Sequence, residues 1–223
     1  MNMKHNVKIL RIEQVTPDVK RFQVTKPEGY AFVPGQATHI SINKGKWKHE
    51  ERPFTFTCLN NNSYLEFIIK RYEEHKGVTN EIHKLKNGDE LIVGEPFGTI
   101  NYKGNGIFIA GGAGITPFIA IFRQLKKENK LQGNILIFSN KKQEDIIIEK
   151  ELKQMFGENL ILTLTEESKK GYGDRKIDEE FLKEKIKGFN KNFYICGPPK
   201  MINDLRKILT NLGAEVNSIV FEK

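Results

Sequence analysis

The sequence predicts two domains of different class: an N-terminal antiparallel β-barrel over residues 1–103 and a C-terminal α/β domain with a parallel sheet over residues 104–223. Three observations predict this. The first hundred residues carry about six short strand-like runs separated by turn residues, the pattern of a small antiparallel barrel or sandwich. The pattern changes at Asn101–Gly106. Beyond that point strand and helix alternate regularly, which calls for parallel strands covered by helices on both faces.

In the first half the expected strands are Val7–Ile12, Val19–Val24, Ala37–Ile42, Phe54–Leu59, Tyr64–Ile69 and Glu90–Gly94. They are punctuated by Pro27–Gly29, Pro34–Gly35, Asn60–Asn62 and Asn87–Gly88, where proline presets φ and glycine or asparagine supplies left-handed conformations. Val78–Leu85 is the one short helix expected here. In the second half, the strands Ile107–Ala110, Ile135–Phe138, Leu160–Leu164, Asn192–Cys196 and Ser218–Phe221 alternate with helices. Those helices are Pro117–Glu128, Ile147–Phe156, Asp178–Lys187 and Pro199–Leu212.

Composition narrows the class. With 38% hydrophobic residues and 15 phenylalanines, the 223-residue chain has enough apolar material for two modest cores. No run of about 18 uncharged apolar residues is present, so no membrane span is expected. Met1–Leu10 alternates polar and apolar residues and lacks the apolar block of a signal peptide, so a cytoplasmic location is expected. Cys58 and Cys196 are the two cysteines, too few for a disulfide framework or a four-cysteine metal or iron–sulfur site. The five histidines show no metal-ligand spacing, and no metal is expected. The net charge of +8 brings nucleic acid to mind. The basic residues are mixed with acids along helices, however, as in Gln124–Lys130 and Glu149–Lys153, and read as solvated faces. No nucleic-acid partner is expected; an acidic protein or a polyphosphate ligand fits the same excess through steering.

The strongest local signal is Ile107-Phe-Ile-Ala-Gly111-Gly112-Ala-Gly114-Ile-Thr116-Pro117, which joins the first strand of the second half to its first helix. Glycines permit a sharp turn and close approach to a ligand. Thr116 suits a helix N-cap and Pro117 the first helical position. Free N–H groups at such a helix start favour a phosphate. The usual dinucleotide fingerprint is not met, because Pro117 occupies the third glycine position.

This loop has company. Pro34-Gly35-Gln36, Arg52-Pro53-Phe54-Thr55, Gly77-Val78-Thr79, Gly88-Asp89, Glu95-Pro96-Phe97-Gly98, Gly111–Pro117 and Cys196-Gly197-Pro198-Pro199-Lys200-Met201 follow one another along the chain. In that order the set resembles the ferredoxin–NADP reductase superfamily, in particular its compact bacterial flavodoxin- or ferredoxin-reductase-like members. The resemblance covers nearly the whole chain. It implies a flavin-binding barrel followed by a nucleotide-binding α/β domain, with FAD and a nicotinamide dinucleotide exchanging hydride.

The resemblance also implies roles. Arg52 would grip the flavin pyrophosphate, a task suited to its forked guanidinium. Pro53 lies within the motif, and Phe54 would lie against the isoalloxazine or ribityl chain where the family usually has tyrosine. Thr55 would stand beside flavin N5. Gly77, Val78 and Thr79 would meet the pyrophosphate at the start of the short helix. Ile68 and Lys70 would run beside the flavin with backbone contacts. Gly111, Gly112, Gly114 and Thr116 would carry the nicotinamide dinucleotide's pyrophosphate. Cys196, followed by Gly197 and Pro198, would sit near nicotinamide C4, where a small side chain leaves room for two rings. Glu222 matches the family's acidic residue near the active site, without the terminal aromatic that covers the flavin face. Thr55, Cys196 and Glu222 are thus the expected contributors to catalysis.

At the end of the third strand of the second half, Glu166 would accept a ribose hydroxyl and repel a 2′-phosphate, which leans toward NADH over NADPH. The family resemblance and the charge of +8 together suggest an acidic electron carrier, flavodoxin or ferredoxin, as the separate acceptor. Service as an electron-transfer subunit of a larger oxidoreductase, or reduction of free flavin, ferric complexes or quinones, uses the same fold.

Overall fold

The structure, a computed structural model, describes residues 3–75, 77–98, 100–215 and 219–221. It divides into two compact units: Met1–Thr99 with Thr116–Gln124, and Ile100–Ile115 with Leu125–Lys223.

The first unit is built on six antiparallel strands: β1 (His5–Thr16), β2 (Val19–Thr25), β3 (Ala37–Ile42), β4 (Arg52–Thr55), β5 (Tyr64–Lys70) and β6 (Glu90–Val93). Their order is β4-β3-β6-β1-β2-β5. Strand β1 serves two partners, pairing with β6 over His5–Lys8 and with β2 from Ile9 onward. Register shifts at Ile9/Arg11 and Gln14/Thr16 bend it between them, as β-bulges do. The outer strands are drawn together just past β4, where the Thr57 N–H donates to the Glu66 carbonyl at 2.9 Å. That link gives the curled sheet its barrel form and leaves little open edge. Alternation puts Phe22, Val24, Ile40, Leu65, Phe67, Leu91 and Val93 inside. The short helix α1 (Val78–Ile82) adds Val78 and Ile82 to that core.

Three elements differ from expectation by more than two residues at an end, the first being β1, which runs on to Thr16 where Ile12 is expected. The fourth strand runs over Arg52–Thr55, where Phe54–Leu59 is predicted. The apolar Phe54 and Phe56 mimic an alternating strand. The Phe56 N–H instead bonds back to Gln36 and the Thr57 N–H to Glu66, so the chain leaves β3 and crosses to β5. Helix α1 stops at Ile82 because Lys84 and Leu85 donate to the residues three before them, which tightens the chain into a turn ahead of Gly88 at φ +95°.

The second unit carries a fully parallel sheet of β7 (Gly106–Gly111), β8 (Ile135–Asn140), β9 (Leu160–Leu164), β10 (Asn192–Cys196) and β11 (Ile219–Phe221). Helices α2 (Thr116–Lys127), α3 (Glu149–Phe156), α4 (Glu179–Lys185) and α5 (Pro199–Asn211) follow in the expected alternation. Of α2, Thr116–Gln124 group with the first unit. Ile107, Ile109, Ile137, Phe193 and Ile195 form one sheet face, packed against Phe181 and Leu182 of α4 and Leu205 and Leu209 of α5. The free edge of β9 is covered by its own following loop: Gly173 pairs with Thr163, and the Leu164 N–H donates to the Gly173 carbonyl at 2.8 Å.

The strand order β11-β10-β7-β8-β9 positions the site. From β7 the chain winds outward through β8 to β9, then returns to place β10 on the other side of β7. The point where the winding reverses lies between β7 and β10. In open parallel sheets the crevice outside the carboxyl ends of two such strands is where ligands bind.

Candidate active site

Both segments that the sequence singles out in the second half lie at this reversal. Gly111 ends β7 and Cys196 ends β10, one register step beyond the paired Cys196 and Ala110. Gly112, at φ +52°, swings the chain out of the sheet, and Gly112–Ile115 already form a 3₁₀ turn that runs into α2. The α-helix therefore begins at Thr116, one residue before the expected Pro117, with helical winding already present from Gly112. Leading from β10, Cys196 is 4% exposed and Pro198 stands at the N-cap position of α5, with Pro199 at its first turn.

The glycines answer to packing as well as to any ligand. A Cβ on Gly114 would lie 2.4 Å from the Cys196 carbonyl oxygen and 2.6 Å from the Gly197 Cα. One on Gly111 would lie 2.6 Å from the Met201 Sδ, and one on Gly197 would meet the Gly111 backbone N at 3.2 Å. The loops after β7 and β10 thus lie backbone to backbone. Gly112 alone among these four has open space where its Cβ would be. Gly114→Ala is expected to force the loops apart, since rigid backbone stands on the clashing side. Overpacking of this kind costs about 1–3 kcal/mol, and more where backbone must move. Thermal unfolding should show that loss together with at least a roughly tenfold weaker nucleotide affinity, about 1.4 kcal/mol. Gly112→Ala should cost only the ~1–2 kcal/mol of a left-handed alanine.

At the far side of β8, the end of β9 brings Glu166 beside Lys141 at 2.9 Å, both exposed, with the Glu166 N–H donating to the Lys141 carbonyl at 2.9 Å. Its neighbour Glu167 accepts from the Gln143 N–H at 2.7 Å.

In the first unit, the β3–β4 register sets Arg52 opposite Ile40 and Phe54 opposite Thr38, so Arg52 and Phe54 share a face. Phe54 is partly buried against the barrel core. Pro53 and Thr55 lie on the other face, Thr55 opposite Ala37 and buried. The Arg52 side chain is 53% exposed; its acidic partner, Glu50, is 3.9 Å away and equally exposed. Ile68 is buried on the face of β5 away from the core cluster, and Lys70 is paired with Asp18 at 2.9 Å. Gly77 precedes α1 in extended conformation, and no side chain caps the helix. Thr79 is accordingly inside the first turn. Glu222 lies outside the described residues.

A family model for an oxidoreductase FAD-binding domain matches residues 6–102, and one for an oxidoreductase NAD-binding domain matches residues 108–207. The chain belongs to the ferredoxin–NADP reductase superfamily. This superfamily member is 29% identical over 218 residues to NADH-cytochrome b5 reductase 1 of Aspergillus oryzae, spanning 87% of the chain and 73% of that protein. It is 24% identical over 234 residues to the reductase component of propane 2-monooxygenase of Rhodococcus jostii, spanning 97% of the chain and 62% of that protein. A ferredoxin NADP+ reductase from Neisseria gonorrhoeae, solved with bound FAD and NADP, shares the fold at a TM-score of 0.86 and 21% identity, over 98% of each chain. The protein is an FAD-dependent NAD(P)H oxidoreductase. Among the described residues no helix is long and apolar enough to cross a membrane, and no group of three or more His, Cys, Asp or Glu could hold a metal ion.

The residues present fit both groups. Arg52 is a forked cation with only a distant, solvated counter-charge, as an anionic diphosphate requires. Gly112 offers open backbone at a strand-to-helix turn, with nothing within 4 Å of where its Cβ would be.

One feature of the first unit escapes sequence reading. Glu66, 3% exposed on β5, is held by Arg123 Nη1 at 2.7 Å, Thr57 Oγ1 at 2.9 Å and Gln23 Nε2 at 3.2 Å, with Arg21 Nε at 3.8 Å. Burial alone would raise its pKa, but the charge and hydrogen bond of Arg123, helped by Arg21 and Gln23, hold the carboxyl below the usual glutamate range. The available signal was an acid inside the apolar run Tyr64–Ile69, which demands a buried partner. Beside it, the Cys58 thiol accepts from the Glu66 N–H at 3.2 Å, and burial pushes its pKa up to about 12.

Proposed function

We propose that this chain takes electrons from NADH onto FAD and passes them to a separate acidic electron carrier such as flavodoxin or ferredoxin. The observation that carries the reading is the meeting of the Gly111–Ile115 turn and the Cys196–Pro198 loop where the winding of the parallel sheet reverses. FAD, when bound, supplies a two-electron acceptor that can also release electrons singly.

The chain's residues bind and orient. Arg52 holds the FAD diphosphate, with backbone from Gly77, Val78 and Thr79 at the start of α1. Phe54 supports the flavin from the face it shares with Arg52, while Pro53 fixes the strand between them. Thr55 offers a hydroxyl at flavin N5. Ile68 and Lys70 contribute backbone; the Lys70 ammonium is already committed to Asp18. Gly111, Gly112, Gly114 and Thr116 receive the dinucleotide's diphosphate. Cys196, Gly197 and Pro198 make room for the nicotinamide. No protein nucleophile is required, so positioning accounts for the chain's share of the rate. The domain boundary lies near residue 103, between the FAD and dinucleotide segments.

The preference for NADH rests on Glu166. Glu166→Gln removes one like charge from the place where a 2′-phosphate would sit, at the exposed end of β9. Near the surface this is about 1 kcal/mol, or roughly a fivefold gain in kcat/KM for NADPH with little change for NADH. Steady-state kinetics with both nucleotides checks it; a wild-type preference for NADPH removes the NADH assignment.

The charge of +8 supports an acidic carrier. Reduction of flavodoxin or ferredoxin should slow as salt rises, and rates indifferent to ionic strength would count against such a partner. The Rhodococcus relative is a component of a monooxygenase, which favours a second reading as a reductase subunit; stoichiometric co-purification with an oxygenase would establish that role. The flavin itself is identified by heat release and chromatography: FAD is expected, and FMN would overturn the assignment.

A further inference from the structure

Asn140 is unexplained by this account. It is the last residue of β8, 5% exposed, and neither its Nδ2 nor its Oδ1 has a hydrogen-bond partner. Its backbone is satisfied, since its carbonyl accepts from the Thr165 N–H at 2.9 Å. The other unpartnered buried side-chain atoms among the described residues are Arg21 Nε, Arg71 Nε and the Ser41 hydroxyl. Both arginines are engaged through another nitrogen, and among the described residues Asn140 is the one buried amide with both ends unpartnered. Leu136 and Phe138, on the same face of β8, are fully buried, and an apolar residue would continue that face at no cost in polarity. A buried amide left without partners is unfavourable and calls for a reason.

Its position supplies one. Ser139 pairs with Gly111 and Asn140 with Leu164, and β8 touches the Gly112–Ile115 turn. Across the carboxyl edge of the sheet the strand ends run in the order Cys196, Gly111, Asn140, Leu164, with Glu166 just beyond. If the nicotinamide lies at Cys196, the diphosphate at Gly111–Ile115 and the adenosine ribose at Glu166, Asn140 stands between diphosphate and ribose.

We infer that the Asn140 amide is a binding group for the adenosine half of the dinucleotide, donating from Nδ2 to a phosphate oxygen and accepting at Oδ1 from a ribose hydroxyl. A neutral amide offers one donor end and one acceptor end, which matches that junction as a lysine or a carboxylate does not. To reach the ligand the amide turns about its side-chain torsions, and this breaks no existing hydrogen bond. The inference rests on the dinucleotide reading above.

The test uses the flavin-loaded protein and two variants, Asn140→Leu and Asn140→Thr, with ADP-ribose as a redox-inert probe followed by calorimetry. Asn140→Leu should bind ADP-ribose at least tenfold more weakly and raise KM for NADH similarly, with kcat at saturating NADH within twofold of wild type. Its melting temperature without nucleotide should equal or exceed that of wild type. Asn140→Thr, which keeps one donor and one acceptor, should recover part of the affinity. Unchanged ADP-ribose affinity in Asn140→Leu, with a lowered melting temperature, would show that a buried water or the fold itself satisfies the amide, and overturns the inference. If the wild-type protein binds neither ADP-ribose nor NADH, the dinucleotide reading itself fails.

Discussion

Glu66→Ala is expected to destabilise the protein by about 3–5 kcal/mol, the cost of breaking a buried ion pair by removing one partner. The carboxylate meets Arg123, Arg21, Gln23 and Thr57, and its removal takes the shared carboxylate from two guanidinium groups that are each only 19% exposed, leaving Arg21 with Glu13 at 3.2 Å. Arg123 also donates to the Thr57 carbonyl at 2.7 Å, so the loss spreads from β5 to the crossover after β4 and to α2. Glu66→Gln, which keeps the shape and part of the hydrogen bonding, should cost less. The pH dependence has a definite sign. The folded carboxyl titrates below its unfolded value of about 4.3. The ionised group therefore contributes fully above about pH 5, and the contribution fades as pH falls through the folded-state pKa. The difference in denaturation midpoint between wild type and Glu66→Ala should be widest near neutrality and should shrink on acidification below about pH 4. A difference that stays constant would mean that the carboxylate's charge is not what stabilises the barrel.

Arg52→Ala is expected to weaken FAD binding by about 2–4 kcal/mol, roughly 30- to 1,000-fold, with little effect on folding. The asymmetry follows from the surroundings of the side chain. Arg52 is half exposed, and its Glu50 contact at 3.9 Å is a surface ion pair worth little. What the substitution removes is the forked donor for a diphosphate. Arg52→Lys keeps the charge but not the paired geometry and should fall between the two. Fluorescence titration of the flavin-free proteins measures the affinities, and circular dichroism checks the fold. Wild-type affinity in Arg52→Ala would remove the residue from the FAD site.

These two residues mark what the sequence makes legible. The architecture is legible because it rests on local periodicity: alternating runs with turn residues in the first unit, and regular strand–helix exchange in the second. Arg52 stands out because nothing in an alternating Phe54–Phe56 strand requires it. Partnerships between distant segments are less visible. The end of β4 depends on Gln36 and Glu66, and the use of Arg123 by Glu66 depends on tertiary contact. Gly114 reads as a ligand glycine, yet its Cβ position is filled by the Cys196 carbonyl, in a strand that no local pattern connects to it. The 3₁₀ turn ahead of Thr116 is likewise hidden in the sequence: Gly112, at φ +52°, turns the chain early and helical winding begins there. Asn140 gives no sequence signal, since a single asparagine after an apolar strand ordinarily marks a turn.

The transfer of electrons from nicotinamide to bound flavin is tested most directly by one anaerobic absorbance measurement on the FAD-loaded protein. Adding NADH should bleach the visible flavin band within the time of a catalytic turnover, and NADPH should do so more slowly. A stably bound flavin whose spectrum neither nucleotide changes would contradict the account.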